Sequence, residues 1–261
     1  MQTGMQVEKK ARGITKPGWI AAITLLSLAL IGSWVASSTL FVVGSILVEG
    51  NDTLSSQEII RLSGLKFGQS MLSLDSDKVK ANVESNPYIR MLGLSREYPS
   101  RVVIKVETRY PAAIIPRVGG DSLIVDFDGN VMSLASQTGA PPELTYVSNA
   151  DIPDSLARVG SNLSGDNAPE STRAAFAILN VLKSQDALGT ISELNVKELD
   201  NLFLVTLSGI KVMLGRMDDR LPEKIAIMRA VLPELAKEGV RDGLLDVTAG
   251  NKADYRRMSS R

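Results

Sequence analysis

From Pro17 to Val48 the chain carries no charged side chain, a run of 32 residues. The apolar centre of that run, Trp19 to Val43, exceeds the about 20 residues that a membrane-spanning helix needs. Regular patterning starts where the run ends. Ser45 to Glu49 is short and apolar-rich, and Gly50-Asn51 closes it with a turn signal. Ser55-Ser56-Gln57-Glu58 fits a capping box, with Leu54 before the cap and Ile59 after it as the matching hydrophobic staple. A second helix, capped by Asp75, places Val79 and Val83 on its inner face and stops at Asn86-Pro87, because proline disfavours helix in the residue before it. Two strands follow, Ile89–Glu97 and Arg101–Glu107, joined around Pro99-Ser100; alternation in Val102, Ile104 and Val106 gives the second one buried face. The order strand, helix, helix, strand, strand predicts a three-stranded sheet with two helices on one side.

Beyond Pro111 the pattern changes to hairpins. Ser122 to Phe127 and Asn130 to Ala135 flank Asp128-Gly129, a pair favoured where both turn positions take positive φ. Residues 137–168 are rich in Gly, Pro, Ser and Asn and read as a connecting loop with short strands at most. A helix over about 169–184 presents Ala174, Ala175, Ile178, Val181 and Leu182 on one face. Strands are expected at 190–196, 202–207 and 210–214, the last two joined by Ser208-Gly209. A helix from about Leu221, capped by Asp218 or Asp219, points Ile225, Met228, Val231, Leu232 and Leu235 inward, and Pro233 should bend it or restart its last turn. A final strand, Gly243–Val247, precedes a polar tail.

The fold class is therefore α+β. A cytoplasmic tail spans 1–16 and a transmembrane helix 17–42. A β-α-α-β-β unit covers 43–111, a mixed α/β domain dominated by an antiparallel sheet covers 112–250, and a flexible C-terminal tail covers 251–261.

Charge orients this arrangement. The chain has 29 basic and 29 acidic residues, but residues 1–16 hold four basic against one acidic, leaving 25 against 28 beyond them. The basic cluster precedes the apolar run, so the N-terminus is placed in the cytoplasm and the rest outside. A cleaved signal peptide, with Ala36-Ser37-Ser38 as the small-residue site, is the alternative; its apolar core usually runs only about 7–15 residues. The overall balance gives no reason to expect nucleic acid as a partner. Cysteine is absent, so an exported domain must be held by its core alone, and the absence of histidine removes many catalytic designs.

Candidate chemistry is sparse. Ser63-Gly64-Leu65-Lys66 matches the S-x-x-K pattern of serine acyltransferases, but a helix C-cap at Gly64 explains it equally. Asp126 to Asn130 resembles the start of a calcium loop, yet Ala135 stands where the bidentate glutamate is needed. The pairs Asp75/Asp77 and Asp218/Asp219 sit at predicted helix starts, where the helix dipole accounts for acidic residues. Arg256-Arg257 suits an anionic lipid or an acidic partner, or a solvated tail. No cofactor, metal or small-molecule substrate is expected, and the exterior reads as a surface to be bound rather than one that reacts.

Several of these stretches together resemble the FtsQ/DivIB family of bacterial cell-division proteins, which place a POTRA domain and a β domain after one span. Val48-Glu49-Gly50-Asn51, then Ser55, Glu58 and Ile59, resemble the start of the POTRA unit. Gly68, Leu72, Leu74 and Asp75, then Asn86-Pro87-Tyr88-Ile89, continue it. The turn Arg96-Glu97-Tyr98-Pro99 and the strand residues Ile104, Val106, Glu107, Arg109, Pro111 and Ala113 resemble the family's turn and strand, with Glu107 one position early. Residues 124–131 resemble the start of the β domain, and Val212–Gly215, Lys224-Ile225 and Leu245-Asp246-Val247 its end. Residues 137–168 lack the family's leucine-proline-containing segment.

The resemblance implies a non-enzymatic scaffold at the division septum that binds FtsB/DivIC-like and FtsL-like bitopic proteins. Through them it would help to regulate the FtsW–transpeptidase pair. In the family the partner's C-terminal segment docks beside the last strand of the β domain. On this chain that implies contacts from Leu244, Leu245, Asp246, Val247 and Thr248, with Tyr255 and Arg256 beyond them, on a terminal strand with an open edge. Two other readings compete: a POTRA-bearing translocation or secretion component, which usually has repeated units before a barrel, and a membrane-anchored cell-wall enzyme, which would need a carboxylate or Ser–Lys site.

Overall fold

A computed structural model describes residues 16–139 and 141–257. The expected cytoplasmic tail lies outside the described residues apart from Lys16. Helix α1 runs from Lys16 to Leu40, and its described side chains, residues 18–32, are all exposed, with Trp19, Ile20, Ile23, Leu25, Leu26, Leu28, Leu30 and Ile31 on every side. Among the described residues no helix is long and apolar enough to cross a membrane. Within the apolar run from Trp19 to Val43 on which that expectation rests, side chains are described for residues 19–32 and 41–43.

The first folded unit follows the predicted order. Strand β1 (Ser45–Glu49), helices α2 (Ser56–Ser63) and α3 (Ser76–Val83), and strands β2 (Ile89–Glu97) and β3 (Arg101–Thr108) form a sheet in the order β1-β3-β2. β1 runs parallel to β3, and β2 antiparallel to it. Val48, Ile59, Val79, Val83, Ile89, Met91, Ile104 and Val106 make its core, with Leu54 packed against them, so the staple forms. The capping box is only half made. The Ser55 hydroxyl accepts from the Glu58 N–H at 3.2 Å, but the Glu58 carboxylate turns to Arg61 at 2.8 Å, a nearer charge than the Ser55 amide offers. α2 ends at Gly64 in the left-handed region (φ 70°). Asp75 caps α3, accepting from the N–H groups of Asp77 and Lys78, and the Lys78 N–H foremost holds its carboxyl below the ordinary value.

The second unit is a nine-stranded sheet. Its strands are β4 (Pro111–Ile115), β5 (Leu123–Asp126), β6 (Val131–Leu134), β7 (Thr145–Ser148), β8 (Ile191–Asn195), β9 (Leu202–Thr206), β10 (Ile210–Gly215), β11 (Gly243–Asp246) and β12 (Asp254–Arg256). The spatial order is β12-β11-β10-β9-β8-β7-β4-β5-β6. Antiparallel pairs predominate, with parallel pairing at β4·β7, β7·β8 and β10·β11. A short helix, α4 (Ala135–Thr138), follows β6, and the long helices α5 (Glu170–Ser184) and α6 (Leu221–Lys237) cover one face of the sheet. Ile178, Leu179 and Leu182 of α5 and Ile225 and Met228 of α6 share a core with Leu204, Val212 and Leu245.

Three expectations need correction, and a fourth gains its place in the fold. The Asp128-Gly129 turn has positive φ only at Gly129 (82°); Asp126 closes the loop instead, accepting from the Asn130 N–H at 2.7 Å and its Nδ2 at 2.8 Å. Residues 137–168 carry one short strand, as the sequence allowed, but Thr145–Ser148 lies centrally between β4 and β8, its Thr145 hydroxyl donating to the Ile191 carbonyl at 3.1 Å. Helix α6 runs through Pro233 and starts after Arg220 with neither aspartate capping it directly; Asp218 accepts from the Arg220 N–H at 3.1 Å. Finally, residues 254–256 of the expected flexible tail form β12.

The two sheets meet through a two-residue junction, Arg109-Tyr110. Arg90 reaches both Glu107 (3.2 Å) and Asp128 (3.3 Å), the Tyr88 hydroxyl donates to Ser133 (3.3 Å), and the largely buried Arg109 faces Asp126 at 3.6 Å.

Candidate partner-binding edge

The sheet has two ends, and they differ. At one end, the Val131 N–H in β6 donates to the Ser161 carbonyl (2.8 Å) and the Val131 carbonyl accepts from the Gly160 N–H (2.9 Å), so the incoming loop covers the start of that edge. At the other end β12 is the last strand. It pairs antiparallel with β11 in the register Leu244↔Arg256, Leu245↔Tyr255 and Asp246↔Asp254, and among the described residues its far side carries no neighbouring strand. An edge strand keeps half of its backbone N–H and C=O groups free to pair with an added chain.

The register divides the side chains between two faces. Leu245 and Tyr255 point inward to the helix-covered core, while Leu244, Asp246, Asp254 and Arg256 lie on the face away from it. That outer face continues through Lys211 and Met213 of β10 to Val205 and Phe203 of β9, all half-exposed, with the Lys211 ammonium 3.7 Å from the centre of the Phe203 ring. Tyr255 anchors the short strand: its hydroxyl donates to the Asp242 carbonyl at 2.7 Å. Its ring lies where any side chain at residue 243 would sit. A Cβ on Gly243 would fall 2.6 Å from Tyr255 Cε2, and Gly243 has φ +128°.

The turn that delivers β12 is tied down locally. The Asp246 carboxylate accepts from the Thr248 hydroxyl (2.7 Å) and N–H (3.0 Å), and those bonds, the hydroxyl first, hold its carboxyl below the ordinary value. Arg220 donates to the Ala249 carbonyl at 2.9 Å, joining the turn to the start of α6. Below it Lys224, 1% exposed, directs its ammonium to the Arg216 carbonyl (2.8 Å) and the Asp218 carboxylate (3.0 Å). The bond from Lys224 is the main reason that the Asp218 carboxyl is held low.

The structure redistributes the residues expected at this site. β11 is not the open edge, because β10 and β12 flank it. Leu245 and Val247 are completely buried, so their side chains belong to the core and not to a contact surface. Leu244 and Asp246 are half-exposed on the outer face, and Thr248 and Arg256 are exposed. Tyr255 is half-buried as an anchor. Sequence reasoning missed β12 itself, Gly243 and Lys224. The alternation of Asp254, Tyr255 and Arg256 was the available signal, but three residues are too few to separate from a polar tail.

The candidate chemical motifs resolve into local structure. The Ser63 hydroxyl donates to the Ile60 carbonyl at 2.6 Å, inside the end of α2. Asp126 is engaged by Asn130 and Arg109. Among the described residues no group of three or more carboxylate, histidine or cysteine side chains could hold a metal ion.

Among the described residues, a β-α-α-β-β unit ahead of a sheet domain whose β12 edge has no neighbouring strand is the arrangement of a POTRA-bearing protein. The family model described as "POTRA domain, FtsQ-type" matches residues 41–109. Cell division protein FtsQ of Myxococcus fulvus is 26% identical over 252 residues, covering 92% of this chain and 84% of the relative. The protein of the same name from Corynebacterium glutamicum is 24% identical over 226 residues, covering 85% and 91%. That of Anaeromyxobacter is 27% identical over 251 residues, covering 94% and 81%. The chain thus carries an FtsQ-type POTRA domain and is similar over most of its length to proteins named cell division protein FtsQ.

Proposed function

We propose that this protein is a non-enzymatic, membrane-anchored scaffold of the division septum that captures a partner strand on β12. The partners are FtsB/DivIC-like and FtsL-like bitopic proteins, and through them the protein helps to regulate the FtsW–transpeptidase pair. The observation that carries the reading is the uncovered β12 edge, beside a half-exposed sheet face and fixed from behind by Tyr255. A strand added there would hydrogen-bond to the free backbone groups and extend the Leu244, Asp246 and Arg256 face. The outer charges of Asp254 and Arg256, 3.1 Å apart, discourage unspecific pairing while leaving the backbone accessible.

The proposed anchor is the uncharged run around α1, whose apolar centre from Trp19 to Val43 is longer in sequence than the about 20 residues a span needs. A helix that is apolar all round finds no stable place in water on its own. The N-terminus then lies in the cytoplasm and both folded units lie outside. Capture is tested with the full-length protein in detergent and an FtsB/DivIC-type partner. Deleting residues 254–261 should abolish co-purification while the circular dichroism of the exterior persists. Unchanged capture by the folded deletion variant would remove β12 from the account.

A further inference from the structure

Helix α1 ends at Leu40 and the folded exterior begins with Phe41, with no linker between them. Three segments converge at that point. The Val43 N–H donates to the Gln69 carbonyl (2.9 Å), the Gly68 N–H to Val43 (2.8 Å), the Met71 N–H to Phe41 (2.8 Å) and the Gly44 N–H to Ser100 (2.8 Å). The Phe41 ring meets the Tyr98 ring edge-on at 5.3 Å. Beneath them Val43, Met71 and Val102 form a small buried core, so this end of the domain is built rather than frayed. On its outside the same segments expose large side chains: Phe67 is 67% exposed, Leu72 58% and Tyr98 57%. Lys66, also exposed, precedes Phe67.

We infer that this end of the POTRA domain sits in the interfacial layer of the bilayer that α1 spans, an inference that rests on the anchor reading above. Phe67 and Leu72 reach the acyl boundary, while the Tyr98 hydroxyl and the Lys66 ammonium stay at headgroup level, where amphipathic side chains are favoured. Membrane proximity is fixed by the chain itself. The bonds from residues 41–44 to residues 68–71 and 100 hold Phe67, Leu72 and Tyr98 beside the helix exit, so a contact too weak to recruit a free domain becomes an intramolecular one. The result is an oriented domain that presents the rest of the exterior at a fixed angle to the membrane.

The chain has no cysteine, which makes single labels unambiguous. Four variants of the full-length protein, Ala21→Cys, Phe67→Cys, Leu72→Cys and Asp52→Cys, each carry an environment-sensitive fluorophore. They are reconstituted into phosphatidylcholine–phosphatidylglycerol vesicles containing a doxyl-labelled lipid. Asp52 lies past the far end of β1, about 17 Å of strand from the helix exit. Residues 21, 67 and 72 should be quenched several-fold more than residue 52, at low and high salt alike. Quenching at 21 with residues 67 and 72 no different from 52 overturns this inference and leaves the anchor intact. No quenching at 21 overturns both. Quenching at 67 and 72 that disappears in high salt assigns the contact to charge and also overturns it.

Discussion

Lys224 shows how much a single buried cation can organise. With 1% of its surface exposed, it must keep its ammonium bonded, and the Arg216 carbonyl and Asp218 carboxylate supply the partners from the loop before α6. Lys224→Met leaves the Arg216 carbonyl unpaired and should cost about 1–3 kcal/mol in urea unfolding. The pH dependence has a definite sign. Asp218 is held below its ordinary value in the fold, so its contribution is present above that ordinary value and is lost as the pH falls through the lowered one. In Lys224→Met the part of the acid-side loss that belongs to this pair should disappear, visible as a flatter unfolding midpoint between neutral and acid pH. Gly243 is the second decisive residue. Gly243→Ala puts a methyl group 2.6 Å from the Tyr255 ring at φ +128°, and should destabilise the exterior by about 1–3 kcal/mol. Hydrogen exchange should show β12 released first. Neither role announces itself in sequence: a lysine on an apolar helix face reads as a solvated charge, and a glycine opening a strand does not show what packs over it.

At the scale of elements, legibility followed the strength of periodic patterning. α2, α3, β2 and β3 were readable because caps, a proline stop and alternation all agree. β7 was not. Thr145–Ser148 has four residues, flanked by the loop-like composition of 137–168, and its place in mid-sheet depends on parallel neighbours far away in sequence. α5 turned its face slightly from expectation, burying Phe176 and Leu179 and leaving Val181 half-exposed, because a second helix packs beside it. The sequence pointed to the last strand as the open edge. In the fold, the expected contacts Leu245 and Val247 are core, and the edge of the sheet lies one strand later. Leu245→Lys should therefore prevent cooperative folding of the exterior, and not simply weaken partner capture, as a lost thermal transition would show.

At the scale of the molecule, the two sheets are joined by two residues and a set of polar contacts. Arg90 bridges Glu107 and Asp128, and Tyr88 reaches Ser133 across the junction. Removing both links with Arg90→Ala and Tyr88→Phe should leave each unit folded. The distance distribution between spin labels at Leu92→Cys and Val118→Cys, both exposed, should broaden. On the proposed function, a docking edge at one end and a membrane contact at the other need that junction to be stiff. β12 is the strand proposed to receive the partner. The most direct measurement is in-cell photocrosslinking of the full-length protein with the reactive group at Arg256, on β12, and separately at Leu207, an exposed residue in the β9–β10 hairpin. An FtsB/DivIC-type adduct from position 256 and none from 207 is predicted. Adducts from 207 alone, or from neither position in cells that divide normally, would contradict it.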